Sequence, residues 1–297
     1  MENGLSLKER YGHLFGELTR LSRTADIVNE TNVYQEANPG TRKIMDGMLK
    51  ENLLSGSRLE GKEHFFEFYQ AIKAGKRALI LPEHYSNLDL PVLCYLLEHD
   101  GSEAGREIAQ KLVAIAGMKL NEQNPMVKAW AEGFTRIVIF PSRGLSNASP
   151  EEQIRGKKIN MAAMRALDTA KRRGQPVLMF PSGTRYRPGR PETKQGVREI
   201  DSYLRTFDVM ILVSINGCCL RLTENEPGNM LADQVYRDKI IIAASPVMDC
   251  RAFRLSVLDS IAGDTTIDPK QAIAGKIMAL LEAQHSHYET VRSTSAP

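Results

Sequence analysis

Two side chains in the first third of the 297-residue chain are spaced for proton transfer. His84 and Asp89 lie five positions apart in Leu79-Ile-Leu-Pro-Glu-His84-Tyr-Ser-Asn-Leu-Asp89. A histidine with a carboxylate partner can act as a general base near neutral pH, because the carboxylate fixes the tautomer and stabilises the imidazolium that forms. The plainer alternative is a surface-loop histidine followed by an acid at a helix N-terminus. A second concentration of chemistry begins at Pro181-Ser182-Gly183-Thr184-Arg185-Tyr-Arg187. From 185 to 198 five basic residues, Lys194 among them, stand against one acid, Glu192. Arginine offers phosphate or carboxylate oxygens a planar fork of donors, and lysine adds a point charge. A solvated basic loop would share that composition. The glycine turn just before Arg-x-Arg and the stiffening Pro188 and Pro191 favour a binding segment. The run Ile137-Val-Ile-Phe-Pro141-Ser142-Arg143-Gly144 repeats the theme of apolar run, proline and polar-basic turn.

These residues need elements to hold them. Apolar, β-branched runs at 78–81, 112–116, 137–140, 177–180, 209–215 and 240–243 alternate with helical stretches. Runs that are apolar on both faces predict an α/β fold, a mostly parallel mixed sheet covered by helices. His84 then falls in a strand-to-helix turn, where open α/β sheets bind ligands. The three strands that run into Pro82, Pro141 and Pro181 would share one sheet edge. There His84, Asp89, Arg143, Arg185 and Arg187 could line one pocket. The long helix of 150–173 has Ser149 as N-cap, Pro150 at N1, Glu152 to complete a capping box and Gly174 as its stop. The last helix is expected from Asp268-Pro269 to about Tyr288. Before residue 77 no strand is expected. A small helical domain over 1–60 precedes an α/β domain over 61–297, and the joining helix buries Phe65, Phe66, Tyr69 and Ile72 on one face.

Composition excludes little. A net charge of +3 gives no reason to expect a nucleic-acid partner. Cys94, Cys218, Cys219 and Cys250 lack metal-ligand spacing and read as reduced thiols in a cytosol. The start of the chain lacks the apolar region of a signal peptide, and no apolar run reaches the roughly 18 residues of a membrane span. His13, His64 and His99 stand alone, and His285 and His287 read as solvated helix residues. No metal is expected.

His84-x4-Asp89 followed about a hundred residues later by Phe180-Pro-Ser-Gly-Thr-Arg185 resembles the glycerolipid acyltransferase superfamily. Those enzymes move fatty-acyl groups from acyl-carrier protein or coenzyme A to glycerol phosphates. Their first motif is usually Asn-His-x4-Asp, where Glu83 stands here for Asn. Their third is usually Phe-Pro-Glu-Gly-Thr-Arg, where Ser182 stands for Glu. Pro181-Ser-Gly-Thr-Arg-Tyr-Arg-Pro188 is similar to the form in soluble plastid-type glycerol-3-phosphate acyltransferases, which also carry an N-terminal helical domain. The resemblance covers about 75–250. It implies His84 as the base, Asp89 as its orienting partner, and Arg185 and Arg187 as phosphate ligands. Arg143 falls near a second-motif basic position. Ser182, Gly183 and Thr184 form the substrate-side turn, and a backbone N–H there is the expected oxyanion donor. Lys194 rests on the basic cluster alone.

The expected function is therefore acyl transfer to the 1-hydroxyl of glycerol-3-phosphate. No cofactor is expected beyond acyl-ACP or acyl-CoA as co-substrate. The expected location is cytoplasmic or stroma-like, with peripheral membrane contact. An alternative acceptor is 1-acylglycerol-3-phosphate, whose enzymes usually carry an apolar N-terminal segment and the Glu form of the third motif. A serine hydrolase would rest on Gly144-Leu-Ser146-Asn-Ala148, an incomplete nucleophile elbow. A non-catalytic lipid-binding protein of the same fold would be favoured by loss of His84 or Asp89, and both are present.

Overall fold

The computed structural model describes residues 4–122, 124–141, 149–223 and 229–294. The strands are β1 (Leu5–Ser6), β2 (Tyr34–Gln35), β3 (Arg58–Glu60), β4 (Ala78–Pro82), β5 (Val113–Gly117), β6 (Arg136–Ile139), β7 (Val177–Leu178), β8 (Val209–Asn216), β9 (Leu220–Arg221), β10 (Gln234–Val235), β11 (Ile241–Ala244) and β12 (Met248–Asp249). The large sheet has the order β2-β6-β5-β7-β4-β8-β11-β3, with β12 also on β8. From β6 to β8 all neighbours are parallel. β2 and β11 add antiparallel margins. This is the mixed, mostly parallel sheet that the two-faced apolar runs predict.

Alternation along β4 shows why those runs are apolar throughout. Ala78 and Ile80 pack into one core, and Leu79 and Leu81 into the other. The first core takes its partners from helices Pro39–Asn52, Lys62–Lys73, Asp89–His99 and Glu103–Lys111. The second takes them from Pro150–Arg172, Cys250–Ser260 and Pro269–Thr294. With both faces covered, the parallel strands can present chemistry only at their ends.

The Pro150–Arg172 helix has the expected capping box, with reciprocal Ser149 and Glu152 bonds. Three expectations need correction. Strands do occur before residue 77: β2 pairs with β6 and β3 with β11, while β1 joins β10 and β9 in a small second sheet. They span two or three residues each and include Gln35, Arg58 and Glu60, too short and polar to leave a periodic signal. Leu7, Tyr11, Met45, Met48 and Leu49 of this largely helical segment share a core with Ile80 and Leu93. In the Lys62–Lys73 helix Phe68 is buried and Phe66 is exposed, so the aromatic face is turned from the one expected. The last helix continues to Thr294, where Arg292 bonds Glu289 and reaches Asp238 at 3.1 Å.

Candidate active site

β4 ends at Pro82, and the backbone N–H of Glu83 still bonds the Val213 carbonyl of β8 at 3.0 Å. The chain then leaves the sheet through His84 and re-enters order at the Asp89–His99 helix. Asp89 organises the turn between them. Its Oδ2 receives the backbone N–H groups of Tyr85 (2.6 Å) and Ser86 (2.8 Å) and lies 2.9 Å from His84 Nδ1. Its Oδ1 accepts the Ser86 hydroxyl at 2.9 Å. The carboxylate is buried, while the His84 side chain keeps 16% of its surface exposed. Asp89 thus fastens Nδ1 and leaves Nε2 as the nitrogen that can exchange a proton. Behind the imidazole the Phe180 ring stacks from the end of β7. Parallel neighbours β4 and β7 bring these two strand ends together.

Phe180 leads directly into the Pro181–Arg187 turn. Gly183 has φ +64°, and a Cβ there would lie 2.9 Å from Val197 Cγ1, so both backbone and space require glycine. Its N–H is already bonded to the Phe180 carbonyl at 2.9 Å, which withdraws it from the oxyanion role expected of this turn. Ser182 is buried, and its hydroxyl donates to the Thr184 carbonyl at 2.6 Å, closing the turn from inside. The Tyr186 N–H donates to the His84 carbonyl at 2.7 Å. That bond ties the basic segment to the histidine turn.

The two arginines on either side of Tyr186 differ. Arg185 is buried and gives NH1 to Asp233 Oδ2 at 2.6 Å, with both side chains under a tenth exposed. Burial raises the Asp233 carboxyl, and the opposing pull of Arg185, with a smaller one from Arg187, does not cancel it. Arg187 is half-buried, and its Nε has no hydrogen-bond partner among the described residues. Lys194 is exposed, pairs with Glu282 at 3.2 Å and lies 5.4 Å over the Tyr186 ring. Arg143, like Ser146 of the hydrolase alternative, lies outside the described residues. The structure therefore brings together His84, Asp89, Phe180 and the 181–187 turn, with Lys194 at its margin.

The family model described as Acyltransferase matches residues 59–212, more than half of the chain, and this span holds both the His84–Asp89 turn and the 181–187 turn. The chain belongs to the Acyltransferase family. No curated protein matches it. All four cysteines are free thiols, and Cys218, which shares a hollow with Ser86 and Asp89, is pushed up to about 12 by burial and by the charge of Asp89. A thiol so placed is a poor nucleophile at neutral pH. Among the described residues no helix is long and apolar enough to cross a membrane.

The acyltransferase also holds a second carboxylate–imidazole pair, which overturns the expectation that His285 is a solvated helix residue. Glu83, immediately before His84, is 1% exposed. Its Oε2 accepts the Ile215 N–H of β8 at 2.9 Å and lies 2.8 Å from His285 Nδ1. Its Oε1 accepts the Tyr85 hydroxyl at 3.2 Å. Burial raises the Glu83 carboxyl despite these donors. Burial alone would lower His285, but the hydrogen bond and charge of Glu83 carry it upward. Only the replacement of the motif's Asn by Glu83 signalled this pair in the sequence.

Proposed function

We propose that this acyltransferase moves a fatty-acyl group from a thioester, acyl-ACP or acyl-CoA, to the 1-hydroxyl of glycerol-3-phosphate. The observation that supports the reading is the Tyr186 N–H bond to the His84 carbonyl, which ties the histidine turn to the arginine-bearing turn. A glycerol hydroxyl is a weak nucleophile, so a base must take its proton as it attacks. His84 Nε2 would accept that proton while the hydroxyl oxygen bonds to the thioester carbonyl carbon. Asp89 stabilises the resulting imidazolium. Collapse of the tetrahedral adduct breaks the carbon–sulfur bond, and the leaving thiolate takes the proton back from His84. The products are the ester and the free thiol. Arg187, with an unpartnered Nε, is the favoured phosphate ligand, while Arg185 acts more through Asp233. Arg143, Thr184 and Lys194 stay in the reading as acceptor-side groups.

The Ser-containing third motif, in the form of the soluble plastid-type enzymes, supports glycerol-3-phosphate over its 1-acyl derivative. The exposed face of the Pro150–Arg172 helix, with Lys157, Lys158 and Arg165 around Ile154, Met161 and Met164, suits an acidic carrier protein or an anionic membrane surface. The decisive experiment offers glycerol-3-phosphate and 1-acylglycerol-3-phosphate in parallel with one acyl donor. Faster turnover of glycerol-3-phosphate is expected. Preference for the 1-acyl compound would move the enzyme to the following step, and transfer to neither would refute a glycerol phosphate acceptor.

A further inference from the structure

Glu83 is an unusual residue to find at the end of a central strand. A lone carboxylate in such a place would carry a large desolvation penalty. Here it is met by three donors from three parts of the chain: the Ile215 N–H of β8, the Tyr85 hydroxyl and the His285 ring of the last helix. Tyr85 Oη is also 3.3 Å from His285 Nδ1, so phenol, imidazole and carboxylate form a closed triangle. Other charges near His285 are accounted for. Glu282 pairs with Lys194, and Glu289 with Arg292.

The triangle surrounds His84 without including it. Glu83 precedes it and Tyr85 follows it, and the Tyr85 N–H is one of the donors that hold Asp89. The Tyr85 ring meets the Tyr186 ring edge-on at 4.9 Å, and the Tyr186 N–H holds the His84 carbonyl. The backbone of His84 is therefore bracketed by residues whose side chains are fixed from the C-terminal helix. That helix packs along β8, and the Asn216 amide donates to the His285 carbonyl at 2.8 Å.

We propose, on the footing that His84 is the base, that His285 is a positioning residue: by holding Glu83 and Tyr85 it fixes the strand end from which the His84 imidazole is presented to substrate. It touches neither substrate nor the reacting atoms. Its effect passes through the backbone on both sides of His84, so it appears in turnover more than in acceptor binding.

The test compares His285→Leu, which removes the donor, with His285→Asn, which can keep one without the charge. Two readouts are taken on correctly folded enzyme: the 15N-histidine spectrum of His84 without substrate, assigned through His84→Ala, and kcat with KM for the acceptor. His285→Leu should perturb the His84 ring signals and lower kcat roughly tenfold, the order expected for a base displaced by a fraction of an ångström, with KM within about twofold. His285→Asn should recover most of the loss. Glu83→Gln, which keeps volume, should reproduce the defect, and His285→Leu should add little to it. Asp89→Asn is the control. If it alters the His84 spectrum and turnover while His285→Leu alters neither, the proposal is overturned. If Asp89→Asn leaves turnover intact, the base assignment is what fails, and the substrate-free spectrum still decides whether His285 positions His84.

Discussion

The imidazole of His84 and the ring of Phe180 lie 3.8 Å apart, centroid to centroid, with their planes 15° from parallel. Stacking occupies one face of the imidazole and leaves its edge for hydrogen bonds, with Nδ1 lying 2.9 Å from Asp89 Oδ2. If His84 is the base, as proposed, it also places a π face beside the positive charge that His84 would acquire during transfer. Such a contact is worth about 0.5–2 kcal/mol. Phe180→Leu, which keeps an apolar packing partner but removes the ring, should lower kcat roughly two- to thirtyfold with the melting temperature little changed. Unaltered kcat would limit Phe180 to packing.

His84→Ala should leave a folded protein with acyl transfer reduced by roughly two to four orders of magnitude, the typical worth of a general base. Asp89→Asn should remove a large part of the same factor, because the tautomer is no longer enforced. Turnover of His84→Ala within a few-fold of the parent would take His84 out of the mechanism.

The arginine pair should separate in behaviour. Arg187→Ala removes a half-buried cation with a free Nε and should raise the acceptor KM about ten- to a hundredfold, as loss of one charge-assisted contact does. Donor affinity and melting temperature should hold. Arg185→Ala strands the buried Asp233 carboxylate and should destabilise the fold by about 3–5 kcal/mol. Denaturant titration beside separate acceptor and donor kinetics distinguishes them, and equal stability of the two variants would contradict the assignment.

Acid should loosen the sheet at a defined place. Hydrogen bonds from Arg77, which precedes β4, hold Asp208, which precedes β8, down at about 2 against an ordinary 3.8. Because the folded value is the lower one, the contribution is fully present above the ordinary carboxylate range and fades as pH falls towards 2. Melting temperature should therefore drop less between pH 5 and about pH 2.5 in Arg77→Ala than in the parent, from a lower starting value. Parallel curves would show that this pair is not linked to folding.

Any membrane contact should be electrostatic. Phe65 and Tyr69 are buried, which leaves Phe66 as the exposed aromatic of that helix and removes the salt-resistant anchor that an aromatic face would supply. The basic and apolar face of the Pro150–Arg172 helix remains, with each lysine or arginine worth about 1 kcal/mol near an anionic leaflet. Co-sedimentation with anionic vesicles should be seen at low salt and lost as salt rises. Absence of binding at low salt would exclude this contact, and persistence in molar salt would require an apolar one.

What could be read from the sequence was what is local. His84 and Asp89 lie within one turn, and the six apolar runs that became β4 to β8 and β11 carry their burial on both faces in their composition. Chain-distant partners could not be read. Asp233 lies 48 positions from Arg185, and His285 lies 202 from Glu83. Nothing in their flanking residues records those distances, so Arg185 read as a free ligand and His285 as a surface group. The corrections fall where a side chain's role is set by a partner elsewhere in the chain.

The pairing of β1 with β10, β2 with β6 and β3 with β11 has a consequence for biosynthesis. β1 and β3 are made well before their strand partners. β3 has no neighbour to bond until Ile241–Ala244 has been made, and β1 none until Gln234–Val235. During elongation the Pro39–Asn52 and Lys62–Lys73 helices can pack on Asp89–His99 and Glu103–Lys111, while β1 and β3 wait with unpaired edges. A nascent chain stalled before residue 234 should hence be a substrate for chaperones, and release from them should coincide with completion of the margins of the sheet.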